Sequence, residues 1–324
     1  MSPQQQALSK GEFQKALKIG REILLKNGND SQALLLTGIS CIELARSLTQ
    51  ESAIIGAHRE ALRCFNRFVV LNPKHGESRV HQSLSRCHQV LKNKSESIRH
   101  GKLAVELEPS SAMAHRVLGE AYQLAGRPTE ALAEIKAAHL LDPGNAEYLE
   151  AVQVQLHAMR RFGETIQYLE EHQSKVLPDK ENQYLLHWVF HVSWLALNNV
   201  DQSHKAILKA RQYGPNKSRL LSPLAESHYR KGDLEGAELW ATKTLRHPKS
   251  SNTSHAVAQR TLGLIEMHRG NYAEAKTLLE SALQVLKRDG SATLALISTL
   301  RRLGETEKAM ELAEEYRKNL EDQP

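Results

Sequence analysis

An all-α solenoid of antiparallel helix pairs is the fold class this sequence predicts, and three observations predict it. Six prolines, Pro73, Pro109, Pro143, Pro178, Pro215 and Pro248, stand 36, 34, 35, 37 and 33 residues apart. Proline lacks the amide proton that a helix interior uses, so each marks the close of a helical unit. Between the prolines lie two amphipathic segments and a short turn. The stretch LGEAYQLAGRPTEALAEIKAAHLLDP, Leu118 to Pro143, returns in altered form as LGLIEMHRGNYAEAKTLLESALQVLK, Leu262 to Lys287. Aromatic residues make up only 5% of the 324, while Ala and Leu abound, a balance that favours helix over sheet.

Taken in order, the units number about nine. Residues 1–30 give a truncated first unit, in which SPQQQALSK supplies a stub of a first helix before GEFQKALKIGREILLKNG. Residues 31–75 form a second unit that is about eleven residues too long, with ARSLTQESAIIGAHREA where a tight turn belongs. Either its helices are extended or a loop protrudes near Ser47–Gly56, a candidate contact on the rim. Residues 76–288 hold six further units. Residues 289–324 form the last unit, whose polar outer side reads as the cap a stacked array needs to stay soluble. No long linker or separate domain interrupts this single array.

Each unit carries the same small-residue logic. AGRPTEA, KGDLEGA, RGNYAEA and LGETEKA place a glycine where one helix ends and the chain must leave the right-handed conformation. Gly119 and Gly263 fall inside first helices, where glycine costs about 1 kcal/mol relative to alanine. Close approach of the paired helix explains keeping them, with Ala131, Ala237, Ala275 and Ala309 as the matching small residues of the second helices. In the third, fifth and sixth units Ser85, Val152 and His191 stand near the glycine position.

These leucine-glycine pairs, turn glycines, alanines and closing prolines at a spacing near 34 resemble tetratricopeptide repeats. The resemblance spans nearly the whole chain and is strongest in the fourth and eighth units. It implies a right-handed superhelix whose concave groove is lined by the first helix of each unit, and a protein-binding function.

Composition narrows the rest. Forty-three Lys and Arg against 37 Asp and Glu give a net charge of +6, so only a clustered excess would draw an anionic partner. The N-terminus has no basic start followed by an apolar run, and the most apolar stretch, LLHWVFHVSWLAL, falls short of a membrane span. A cytoplasmic protein with no membrane span is expected. Cys41, Cys64 and Cys87 form no CxxC pair and are expected as reduced core thiols.

No chemistry of catalysis is legible. GxGxxG, GxxxxGK[ST] and GxSxG are absent, so no enzyme and no cofactor are expected. His187 and His191 are four apart in HWVFH, but Trp188 stands where a zinc protease needs its glutamate, and both fall at packing positions. His81 with His88, and His228 with His268, bring no accompanying carboxylate motif. No metal site is expected.

The inward positions implied by the resemblance give the candidate binding residues. They are Arg79, Gln82 and Arg86 in the third unit, Arg116 and Gln123 in the fourth, and Leu185, Trp188 and Val192 in the sixth. Arg219 and Tyr229 in the seventh and Arg260 in the eighth complete the set. Arg79, Arg86 and Arg116 read as a basic patch; Trp188 with Leu185, Val192 and Leu195 reads as an apolar centre. Arginine and aromatic anchors are the types that dominate binding hot spots. A peptide or protein with an acidic end and an apolar anchor suits such a groove. The asparagine of a chaperone-tail clamp is missing: Glu120, Val154, Val192 and Glu226 hold the corresponding places.

A non-catalytic scaffold or adaptor is therefore the expected function, with self-association open to it. A substrate-recruiting subunit for a separate enzyme such as a transferase is one alternative. A nucleic-acid-binding helical repeat is the other, disfavoured because Glu147, Glu150 and Glu226 interrupt any run of cations.

Overall fold

The six prolines fall where helices stop. The computed structural model describes residues 1–73 and 77–321. Pro73, Pro109, Pro143, Pro215 and Pro248 each lie two residues beyond the last residue of a helix, and Pro178 follows a 3-10 turn at Gln173–Lys175. The described residues form eighteen α-helices and no strand, so the fold is all-α. The expected unit boundary at 75/76 and the last three residues of the cap lie outside the described residues.

The chain divides into two compact units, Met1–Arg161 and Phe162–Pro324. The first holds α1 (Pro3–Ser9), α2 (Phe13–Lys26), α3 (Ser31–Ala45), α4 (Glu51–Leu71) and α5 (Ser78–Val90). It continues with α6 (Lys94–Leu107), α7 (Ala112–Leu124), α8 (Pro128–Leu141) and α9 (Ala146–Ala158). Neighbours pack as hairpins, α1 on α2, α3 on α4, α5 on α6 and α7 on α8, and the hairpins stack through α2 on α3, α4 on α5, α6 on α7 and α8 on α9. Its core is built around Cys41, Phe65, Leu84 and Cys87. The extra residues of the second hairpin lengthen α4 to 21 residues instead of forming a long loop.

The second unit holds α10 (Phe162–His172), α11 (Lys180–Ala196), α12 (Val200–Tyr213), α13 (Leu221–Arg230) and α14 (Leu234–Arg246). It ends with α15 (Asn252–Arg269), α16 (Tyr272–Val285), α17 (Gly290–Arg302) and α18 (Thr306–Glu321). Pairing is again sequential, α11 on α12, α13 on α14, α15 on α16 and α17 on α18. Leu264, Leu279, Leu296 and Leu300 belong to one of its apolar clusters. In α18 Ala309 is the one buried residue among those described.

Two devices set the hairpins. A Cβ on Gly119 would lie 2.7 Å from Ile135 Cγ1 and 3.2 Å from the Ala131 carbonyl oxygen, and one on Gly263 would lie 2.8 Å from Leu279 Cγ. The glycines therefore admit the paired helix, against which Ala131, Ala237, Ala275 and Ala309 are fully buried. The turns that follow α5, α7, α9, α11, α13, α15 and α17 also each hold one left-handed residue. Gly126, Gly232, Gly270 and Gly304 take φ of 76–83°, while Lys92, Arg160 and Asn198 do the same at 55–59°. These positions recur every 34 or 38 residues.

The three cysteines are free and buried. Burial pushes their thiols up to about 12 for Cys41 and Cys87 and about 11 for Cys64, so they pack as apolar residues and not as nucleophiles.

Candidate partner-binding faces

In the first unit the candidate residues lie on α5 and α7. Arg79 is exposed, and Arg86, two turns further along α5, is half-buried with Nη2 3.0 Å from Met113 Sδ of α7. Neither has a carboxylate partner among the described residues. Gln82 is buried and donates to Ser78 Oγ at 3.1 Å, so it belongs to the packing of its own helix. Gln89 donates to the Val117 carbonyl at 3.1 Å and ties α5 to α7.

Arg116 differs from the other two arginines of the expected basic patch. Its guanidinium pairs with Glu120 at 3.1 Å and Glu147 at 3.4 Å and lies 5.8 Å above the Tyr148 ring. The positive stretch on this unit thus reduces to Arg79 and Arg86. Beyond it lies a cleft of about 220 Å³ lined by Arg116, Glu120, Gln123, Glu147, Glu150 and Val154. Val154, 49% exposed, belongs to its apolar lining with Ile135 and Ala151, and Gln123 is exposed.

In the second unit the candidates lie on α11, the 3-10 turn at Ser218–Leu220, α13 and α15. Leu185 and Trp188 are both buried. The Arg219 guanidinium sits 4.2 Å over the Trp188 ring, a stacked cation that covers the indole from one side. Trp188, His191, Val192, Leu195, Pro223 and Glu226 are among the walls of a pocket of about 110 Å³. Its exposed surface is mostly apolar, and Arg230 is also part of its lining.

Arg260 is engaged within the fold. It reaches Glu226 of α13 at 3.0 Å and also pairs with Asp289, which caps α17 by accepting from the Ala292 amide at 2.8 Å. Arg230 meets Glu226 at 2.8 Å, so a chain of alternating charges ties α13, α15 and the start of α17 together. Tyr229 OH lies 3.0 Å from His268 Nε2 and its ring packs on the apolar cluster of this unit.

The histidines fill structural positions, with one exception. His187 stacks on Tyr213 at 5.6 Å, and burial, with Lys209 nearby, pushes it down to about 4. His191 is buried against Ser203. Ser227 Oγ is 2.9 Å from His204 Nδ1, but no carboxylate orients that imidazole among the described residues, so the nucleophile–base–orienter arrangement of a hydrolase is incomplete. The exception is His88, Glu96 and His100, whose potential metal-ligand atoms lie within 4.8 Å of one another. Pairing His81 with His88 along one helix missed this group. The signal was Glu96 and His100, four apart, on the helix that folds back onto His88.

The family model described as "Tetratricopeptide repeat" matches residues 102–146 and 260–324. Those segments cover α7 with α8 and α15 to α18, where the glycine–alanine nesting and left-handed turn recur. These two segments are tetratricopeptide repeats. Among solved structures this repeat protein is similar to yeast Tom70, with 16% identity and a TM-score of 0.58 over 96% of this chain and 62% of that one. It is similar to a chain of the APC/C hetero-tetramer Cut9–Hcn1, with 12% identity and a TM-score of 0.57 over 99% and 72%. It also resembles PilW, a type IV pilus biogenesis factor, with 15% identity and a TM-score of 0.53 over 68% and 98%. At these identities the likeness concerns the fold. No curated protein matches the repeat chain. No helix among the described residues is long and apolar enough to cross a membrane.

Proposed function

We propose that this tetratricopeptide-repeat protein is a non-catalytic scaffold that holds a protein segment through its first-helix faces. The observation that carries the reading is the apolar pocket of the second unit, floored by Trp188 and walled by Val192, Leu195 and Pro223. An apolar side chain entering it would be desolvated on most sides. Its surroundings are already neutralised by Arg230, Glu226, Arg260 and Asp289, so the pocket selects for shape and apolarity over charge. On the first unit, Arg79 and Arg86 suit an acidic stretch. Gln123 lines the cleft of the first unit and Arg219 stacks on Trp188, while Tyr229 and Arg260 pack and pair within the second unit.

The test is capture of partners from a nuclease-treated native lysate by wild type, Leu195→Asp and Arg79→Glu/Arg86→Glu, with circular dichroism to verify folding. A protein partner lost by Leu195→Asp, and held by wild type across a rise in salt, supports the reading. Nucleic-acid binding would instead fall steeply with salt. Retention of every captured protein by both variants would sink it.

A further inference from the structure

Three imidazoles stack in the α5/α6 hairpin. His81 and His88 stand two turns apart on α5, and His100 of α6 lies against both rings, with centroids 5.2 and 5.6 Å away and interplanar angles of 24° and 8°. The hydrogen bonds fix the tautomer of His100. Arg99 Nη2 lies 2.9 Å from His100 Nε2, and a guanidinium only donates, so Nε2 accepts through its lone pair. The ring proton of neutral His100 is then on Nδ1, 2.9 Å from His81 Nδ1, which accepts it.

The same Arg99 guanidinium donates to Glu96 Oε2 from Nη2 at 2.7 Å and from Nε at 3.0 Å. One cation therefore already joins Glu96 and His100, two of the three groups whose donor atoms cluster within 4.8 Å. That cation sits on a side chain 54% exposed, free to swing into solvent.

We infer from this geometry that His88, Glu96 and His100 form a binding site for a divalent transition-metal ion of zinc's class, for which the Arg99 guanidinium competes. Two imidazole nitrogens and one carboxylate oxygen are a donor set that Zn²⁺ takes, with a fourth position left for water. At zinc–ligand lengths of about 2.0–2.2 Å, tetrahedral donors stand roughly 3.3 Å apart. The widest pair here needs to close by at most about 1.5 Å, within the reach of side-chain rotation once Arg99 withdraws. His81 supplies what a metal-bound imidazole commonly has, a partner for its second nitrogen that holds the ring in place. An ion at this position clips α5 to α6 near their turn.

The experiment is a Zn²⁺ titration of the chelator-stripped full chain against a chromophoric competitor, with metal per chain counted by mass spectrometry. Wild type is expected to take up one ion at this site. Glu96→Gln should weaken it at least tenfold, and Arg99→Met should strengthen it severalfold by removing the competing cation. Both side chains are substantially exposed, so circular dichroism should show both variants folded. His100→Asn, with its imidazole ligand removed, should lose the ion altogether. No saturable uptake, or uptake that neither Glu96→Gln nor Arg99→Met alters, overturns the site: the ion would then sit on other histidines.

Discussion

His191 Nδ1 lies 3.1 Å from the carbonyl oxygen of Ser203 and 2.9 Å from its hydroxyl, at the point where α11 crosses α12. In the α7/α8 hairpin the same crossing is Gly119 against the Ala131 carbonyl, with no side chain to spare. In α5/α6 it is Ser85, whose hydroxyl donates to the Ser97 carbonyl at 2.9 Å. The repeat thus permits a polar side chain at its tightest contact when that side chain bonds the carbonyl it approaches.

A buried neutral histidine makes the second unit sensitive to acid. Burial holds His191 below the usual range, against the opposing pull of the Ser203 carbonyl and Glu226, and with Arg230 and His204 adding to the lowering. His187 is pushed down to about 4. Both fold as neutral groups that the unfolded chain protonates near 6.5, so their stabilisation is complete above that pH and is lost as pH falls below it, for His187 towards about 4. His187 alone accounts for about 2–3 kcal/mol across that window. Urea denaturation from pH 7.5 to 4.5 should show the midpoint dropping below pH 6.5, and a level midpoint to pH 5 would contradict the assignment.

The left-handed turns carry removable strain. Lys92 and Arg160 hold φ near 58° where five other interhelical turns use glycine. A side chain there costs roughly 1–2 kcal/mol, partly offset by the unfolded-state entropy glycine adds. Lys92→Gly and Arg160→Gly should each raise stability by about 0.5–1 kcal/mol. Asn198→Gly should gain less, because asparagine tolerates this conformation. Thermal denaturation of the three variants decides it, and a lowered midpoint in the first two would refute the strain.

Glycine to alanine should change sign with position. Gly56 lies within α4 with open space where a Cβ would go. Gly56→Ala should stabilise by about 1 kcal/mol through helix propensity alone. Gly119→Ala gains the same propensity, yet its Cβ would meet Ile135 and the Ala131 carbonyl, and overpacking of this kind costs about 1–3 kcal/mol. Net destabilisation is expected at Gly119, read as a lowered urea midpoint beside the raised one for Gly56→Ala.

The same contrasts explain what could be read from the sequence. Units with both glycines announce themselves, since glycine inside a helix and glycine after it have few other uses. The third, fifth and sixth units are faint because Lys92, Arg160 and Asn198 turn the chain without glycine, and Ser85 and His191 replace it in the helix. Phase alone recovers them. The candidate face was less legible. Helical spacing picks out Arg116 and Arg260 as readily as Arg79, but whether a charge is engaged depends on a carboxylate 31 or 29 residues away, Glu147 or Asp289. That partner is fixed by how hairpins stack, a relation that no local pattern encodes.

The arginines should accordingly divide by phenotype. Arg260 is 13% exposed and bridges Glu226 and Asp289, so Arg260→Ala leaves Glu226 with Arg230 alone and Asp289 with only its capping bond to the Ala292 amide. A loss of about 1.5–3 kcal/mol is expected, the range for hydrogen bonds to charged groups. Arg79→Ala removes an exposed side chain with no carboxylate partner among the described residues and should move stability by less than about 0.5 kcal/mol. High salt should leave the Arg260 effect largely intact, because partly buried pairs are screened far less than exposed ones. A partner lost on Arg79→Ala without any fall in denaturation midpoint, beside a destabilised Arg260→Ala that still binds at low temperature, separates the arginine that recognises from the one that braces. Equal destabilisation by the two substitutions would mean that Arg79 too is part of the frame.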